Sequence, residues 1–256
     1  MKKAFFSLSF FFSFVILFAQ TSPEKPKTVK NHHLGLEFSA GYSIVMGNFG
    51  AIDKANKKAG YATNGWQMQF TFDWMGKKDF GLALQYTFQK NPLSNSTEFL
   101  VPDGWPTGTL GPGSWSSHYL MAGPVFMKTI KRIHVDAKIL GGVIVCSSSN
   151  FSTPNPTDTT GMKIDVNLGT GFGYGISAGF GYAFSSHVAL KFNLSLMGGW
   201  PGKNKQYGSQ LIGYEKYTEP STGIIYTRPI YSAPVEYEIK KVVFTLNPSL
   251  GLVYRF

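Results

Sequence analysis

The chain has 256 residues, with 24 Lys+Arg against 14 Asp+Glu for a formal net charge of +10, 16% aromatic residues and 29 glycines. A single cysteine, Cys146, excludes an intramolecular disulfide, and no cysteine stands after the N-terminal apolar run to carry a lipid anchor. The positive balance does not build a nucleic-acid footprint. The basic residues lie in a tail (Lys25, Lys27, Lys30), in short turns (Lys77, Lys78, Lys128, Lys131, Arg132) and in one loop (Lys54, Lys57, Lys58), not along one face.

From the N-terminus, Lys2 and Lys3 precede an apolar run from Ala4 to Phe18 that closes on Ala19 before polar residues. This pattern predicts a secretory signal peptide over 1–19, cut between Ala19 and Gln20; the run is short for a spanning helix. Residues 20–33 read as a flexible tail. His32 and His33 within it have no third ligand at a useful spacing, so no metal is expected. No later apolar run is long enough for a membrane helix, and no segment repeats with the helical period.

From Leu34 onward the chain alternates instead, with period two. The first predicted strand, 34–45, sets Leu34, Leu36, Phe38, Ala40 and Tyr42 against Gly35, Glu37, Ser39, Gly41 and Ser43. The second, 66–74, sets Trp66, Met68, Phe70, Phe72 and Trp74 against Gln67, Gln69, Thr71 and Asp73. A strand of this length closed by tryptophan at both ends suits a tilted membrane strand between two aromatic girdles. The third, 80–89, sets Phe80, Leu82, Leu84, Tyr86 and Phe88 against Gln85, Thr87 and Gln89.

The fourth, about 116–128, is apolar on both faces. Tyr119, Met121, Gly123, Val125 and Met127 are assigned outward, which turns Leu120 and Phe126 inward. The fifth, 133–146, opposes Val135, Ala137, Ile139, Val143 and Val145 to His134, Asp136 and Lys138. The sixth, LGTGFGYGISAGFGY at 168–182, alternates aromatics with glycines. It contains no strict G-x-G-x-x-G and no helix pattern comes after it, so it reads as a strand with one bare face, not a nucleotide loop. The seventh is 188–197. The eighth, 242–256, carries Phe244, Leu246, Leu250, Leu252, Tyr254 and Phe256 on one face, and Pro248 predicts a bulge or a missing ladder bond.

The connections 76–79, 129–132 and 184–187 are short; 46–65, 90–115, 147–166 and 198–241 are long. The fold class expected is therefore all-β: an eight-stranded antiparallel transmembrane β-barrel over 34–256, with long external loops and short periplasmic turns. A soluble barrel would reverse the faces. It would have to crowd around twenty aromatic and branched side chains into an eight-stranded lumen and leave Glu37, Asp73, Asp136, Lys138, Lys191 and Arg255 outside.

SLGLVYRF, ending in Tyr254-Arg255-Phe256, resembles the terminal assembly signal of outer-membrane barrels. The mature chain as a whole is similar to the small eight-stranded outer-membrane barrel proteins, including the OmpX and OmpA barrel types and the PorT-like group. The resemblance implies recognition of Tyr254 and Phe256 by the barrel-assembly machinery, residence among outer-membrane lipids of a Gram-negative bacterium, and both termini in the periplasm. It does not imply one function, since such barrels serve as adhesins, structural proteins and enzymes.

Charges inside so narrow a barrel must be paired. Glu37 and Arg255 stand near the joined ends of the first and last strands and are expected to form an ion pair; Asp73, Asp136, Lys138 and Lys191 are expected beside them as a charged plug. The bare glycine wall is expected to make room for Gln67, Gln69, Gln85 or Lys138, with a water-filled pocket as the alternative. Ser116, Ser117 and His118 are the one cluster that suggests a hydrolase. Adjacent strand residues face apart, and Ser116 with His118 has no evident acidic partner, so no catalytic site and no cofactor are expected. Asn95-Ser96-Thr97 and Asn150-Phe151-Ser152 read as chance glycosylation matches. In the loop 198–241, GYEKYT, EPSTG and IIYTRPIY suggest two short strands about a turn; Tyr214, Tyr217, Tyr226, Tyr231 and Tyr237 stud the segment, and loop 90–115 carries Trp105. These side chains either recognise protein or glycan or stiffen the barrel. The function expected is a structural or surface-recognition role, with a small pore or a lateral pathway for apolar solutes as the alternative.

Overall fold

The computed structural model describes residues 34–52, 60–76, 79–94, 113–148, 151–152, 162–166, 168–202, 204–221, 223–239 and 242–256. The signal peptide expected over 1–19, the tail with His32 and His33, the turn lysines Lys77 and Lys78, the loop lysines Lys54, Lys57 and Lys58, and Asn95, Trp105 and Asn150 lie outside them.

Thirteen strands are present among the described residues: β1 Leu34–Val45, β2 Gly65–Met75, β3 Phe80–Pro92, β4 Ser114–Ile130, β5 Ile133–Ser148, β6 Phe151–Ser152, β7 Met162–Val166, β8 Gly169–Ala183, β9 Val188–Trp200, β10 Asn204–Thr218, β11 Ile225–Tyr231, β12 Val235–Ile239 and β13 Val243–Arg255. Eight of them close into one antiparallel barrel in the order β1-β13-β9-β8-β5-β4-β3-β2. Each is joined to its sequence neighbour in the wall, and β1 closes on β13 with Gly35 opposite Arg255. Closure leaves no strand edge in the wall, the condition for crossing a bilayer with strands. The fold is the eight-stranded β-barrel of the outer-membrane type.

The wall is sided as the alternation requires. On β2, Gln67, Gln69, Thr71 and Asp73 are buried, while Trp66 is 44% and Trp74 57% exposed. The outer rings lie against one another across strands: Phe38 on Phe70 at 4.8 Å, Trp66 on Phe88 at 5.2 Å, Phe80 on Phe126 at 5.1 Å. Such cross-strand aromatic pairs stabilise each ladder while presenting a continuous apolar skin. The turn between β4 and β5 is only Lys131 and Arg132, with Lys131 at φ 57. In the β2–β3 turn Asp79 has φ 66. Both residues occupy the left-handed region that tight hairpin turns demand.

β4 reverses the expected facing. Tyr119, Met121 and Val125 are buried in the lumen, and Leu120 and Phe126 point out. With two apolar faces, the strand's own pattern carries no sign, so its neighbours decide. Cross-strand partners share a face, and β3 sets its inward Thr87 and Gln85 opposite Tyr119 and Met121. The glycines of β8 then supply the volume: a Cβ at Gly173 would stand 3.1 Å from the Tyr119 ring, and one at Gly175 would stand 3.7 Å from Met121 Cε. Gly173 and Gly175 thus face Tyr119, Ile144, Met121 and Met197, and Gly179 faces Lys191, Asp136 and Asn193; the nearest neighbours are not the Gln67, Gln69, Gln85 or Lys138 expected there. Pro248 produces no bulge. β13 keeps its register with β9 through Pro248↔Leu194, and the gap falls in the ladder to β1, between Gly41↔Ser249 and Ile44↔Leu246.

The long connections are more ordered than expected. The hairpin of β10 and β11 appears where two strands about a turn are predicted. It belongs to a five-stranded sheet, ordered β11-β10-β7-β6, with β12 also on β10. Segments of the 147–166 connection therefore join the last one.

Candidate functional site

Toward the short-turn end, inward positions on β1, β2, β5 and β9 bring charges to one level. Lys191 Nζ lies 2.9 Å from Glu37 Oε2 and 2.7 Å from Asp136 Oδ2. Lys138 Nζ lies 3.2 Å from Asp73 Oδ1 and 3.7 Å from Glu37 Oε2. Asn193 Nδ2 donates to the second Glu37 oxygen. All five charged side chains are buried. Three carboxylates and two ammonium groups thus share one desolvated layer, with Arg255 below to balance the charge. Among the described residues, Lys191 is the one cation within 4 Å of Asp136.

The expected Glu37–Arg255 pair is replaced by other partners. Closure does make β1 and β13 neighbours, but Glu37 sits opposite Val253, one inward step beyond Arg255. Two lysines reach Glu37 first: Lys191 from β9, the next strand past β13, and Lys138 from β5 across the lumen. Arg255 Nη1 turns to the His134 ring, 2.7 Å from Nδ1, and Thr129 Oγ1 lies 2.7 Å from the same nitrogen. His134 and Asn193 are members of this layer that were not among the expected ion-pair residues. Both stand two residues from charged inward positions, so the period-two pattern marks them.

The loop end is covered from within the chain. After β1, a short 3-10 turn, Gly47–Phe49, places Phe49 against Trp115, with ring centroids 6.2 Å apart. Trp115 Nε1 donates to Gly60 O at 2.8 Å, and Tyr61 and Ala62 are buried beside them. Nothing in the local sequence distinguishes this lid from an open loop; only the inward turn of Trp115 on β4 creates its seat.

Ser117 and His118 do diverge. Ser117 is buried, with Oγ 3.3 Å from Cys146 Sγ, whereas His118 lies on the outer face with Nδ1 2.8 Å from Tyr86 OH. The outer sheet holds the recognition candidates. Tyr217 is exposed and stands opposite Tyr226, while Tyr214 and Tyr231 are half-buried. Ile212, Ile224 and Ile225 are exposed around them. At the C-terminus, Tyr254 and Phe256 are both exposed, with their rings 4.9 Å apart.

No protein-family model matches the chain, and no curated protein matches it. Among solved structures, it is similar to a major outer membrane protein from Thermus thermophilus, at 13% identity over 88% of this chain and 100% of that one, with a TM-score of 0.48. It is also similar to the outer membrane protein OprG from Pseudomonas aeruginosa, at 12% identity over 90% and 100% of the two chains (TM-score 0.47). A third is the outer membrane protease OmpT from Escherichia coli, at 9% identity over 93% and 100% (TM-score 0.43).

Proposed function

We propose that this protein is a non-enzymatic barrel of the Gram-negative outer membrane, with both termini periplasmic, that engages a protein or glycan partner through its outer sheet. The observation that carries this reading is the hairpin of β10 and β11, which presents Ile212, Tyr217, Ile224 and Ile225 to solvent beyond the barrel wall. Exposed aromatic and branched side chains on a paired-strand scaffold offer recognition area at low entropic cost. The short turns, the basic residues near them and the exposed Tyr254 and Phe256 fit a periplasmic end that is read by the assembly machinery during insertion. The charged layer and the Phe49–Trp115 lid both count against the alternative of an open pore, since each closes the lumen at a different level. Whole cells displaying the protein test the reading. Binding to a host-surface protein or glycan array, lost in Tyr217→Ser/Ile225→Ser with the barrel still heat-modifiable, supports it. Equal binding by that variant, or no binding by wild type on any array, overturns it.

A further inference from the structure

The outer face of the wall carries one polar cluster within its apolar skin. Every carboxylate on the eight wall strands, Glu37, Asp73 and Asp136, is buried in the lumen. Of the cations on those strands, Lys138, Lys191 and Arg255 are buried with them, and Lys90 and Lys128 face outward. Lys90 lies near the long-loop end, opposite Trp66 on β2 and Ser116 on β4. It therefore stands in the aromatic girdle at that end, where its long stem carries the ammonium into the headgroup layer. No acidic side chain of the described wall faces outward to balance it.

One outward step down from Lys90, Phe88 stands opposite His118. The rings form a row: Trp66 to Phe88 at 5.2 Å, then Phe88 to His118 at 4.8 Å. His118 Nδ1 lies 2.8 Å from Tyr86 OH. The imidazole is thus fixed on two sides, by a ring contact and by a hydrogen bond. An ionisable ring on the hydrocarbon side of a wall is rare without a partner. Tyr86 and His118 carry at least two hydrogens to donate, and the bond between them uses one. Whichever of them donates, one N–H or O–H is left over, and no acceptor among the described residues takes it. Hydrocarbon supplies no water to meet it.

The two unmet needs lie at different depths. A step of two residues is roughly 7 Å along a tilted strand, or about 5 Å along the membrane normal. Lys90 thus lacks an anion at headgroup level, and the Tyr86–His118 pair lacks an acceptor just beneath it. A membrane lipid offers those two groups in that order, a phosphate and then the carbonyl of an acyl linkage. We propose that this face binds one acylated lipid bearing a phosphate monoester, drawn from the leaflet at the long-loop end. Its phosphate accepts from the Lys90 ammonium and the Ser116 hydroxyl, a point-charge contact of the kind lysine makes with phosphate. Its acyl carbonyl accepts the hydrogen left over by Tyr86 and His118. Its chain runs down over Leu120, opposite Tyr86, and over Leu84, opposite Ala122. Elsewhere in the girdle Tyr174 and Trp200 pack at 5.3 Å with no charge beside them, and Lys128 stands opposite Val135. The cluster therefore marks one place on the circumference.

The test uses the folded barrel in detergent, with dioleoyl phosphatidic acid added and bound lipid counted by native mass spectrometry. One phosphatidic acid is expected to stay on the wild type after collisional activation has stripped the rest. Lys90→Met is expected to lower its retention about fivefold, the effect of one basic side chain near a membrane surface. His118→Phe, which keeps the ring contact with Phe88 and removes the pair's hydrogen bond, is expected to lower it severalfold. Lys128→Met, at the other outward cation, keeps wild-type retention, and heat-modifiable gel mobility checks that each variant is folded. Excess inorganic phosphate is expected not to displace the lipid, because the carbonyl and chain contacts remain. Equal loss in Lys90→Met and Lys128→Met, or full retention in His118→Phe, overturns the proposal. Displacement by inorganic phosphate overturns it in favour of a free anion held at Lys90.

Discussion

Lys191→Met tests the charged layer where it is most exposed to loss. Lys191 lies 2.7 Å from Asp136 and 2.9 Å from Glu37. Glu37 keeps Lys138 at 3.7 Å and the Asn193 amide, but among the described residues Asp136 keeps no cation within 4 Å. Removing one partner of a buried pair costs about 3–5 kcal/mol, because the remaining charge stays desolvated. The variant should therefore lose about that much in urea unfolding of the refolded barrel, followed by tryptophan fluorescence. Converting the orphan as well, in Lys191→Met/Asp136→Leu, should recover most of the loss, since replacing a whole buried pair by apolar groups is often close to neutral. A double-mutant cycle should give coupling between Glu37 and Lys191 of about 1–3 kcal/mol and little between Glu37 and Arg255. Lys191→Met within about 0.5 kcal/mol of wild type, or Asp136→Leu adding to its loss instead of relieving it, refutes the reasoning.

The same packing has other consequences. Gly173→Val drives a side chain into the Tyr119 ring, already 3.1 Å from an added Cβ, and should destabilise by about 1–3 kcal/mol, with Tyr119→Leu restoring part of it in the same unfolding assay. Leu120→Arg places a charge on the lipid face and should cost about 2–4 kcal/mol near the midplane, whereas the facing expected from the sequence would put that arginine in the lumen; comparing insertion yield into vesicles for Leu120→Arg and Val143→Arg checks this, with equal losses expected. Trp115→Phe leaves the Gly60 carbonyl without its 2.8 Å donor and should speed trypsin cleavage at the lysines between residues 53 and 59 severalfold, measured by mass spectrometry.

Much of the wall was readable without coordinates because its two faces differ in kind. On β2 aromatics alternate with amides and an acid, and on β8 aromatics alternate with glycine, so period two carries both the strand and its sidedness. β4 failed that criterion: Leu120 and Met121 are equally apolar, and only Thr87 and Gln85 across the ladder tell them apart. Ion-pair partners were equally hidden. Sequence brings Glu37 and Arg255 to one seam, but strand tilt and the reach of a lysine side chain decide that Lys191 arrives from β9, two strands away, and Lys138 from β5 across the lumen. The short β6 and β7 have too few residues to show a period and exist through pairing with β10. The lid depends on Phe49 and Gly60 meeting Trp115 across long separations, for which no local signal exists.

The account rests on which side of the wall meets hydrocarbon, and single-tryptophan variants in brominated-lipid vesicles measure that directly. Fluorescence from Trp66 alone and from Trp74 alone should be strongly quenched, each most by bromines placed near the membrane surface, while Trp115 alone should be quenched little. Strong quenching of Trp115 with Trp66 and Trp74 unaffected contradicts the sidedness of the barrel.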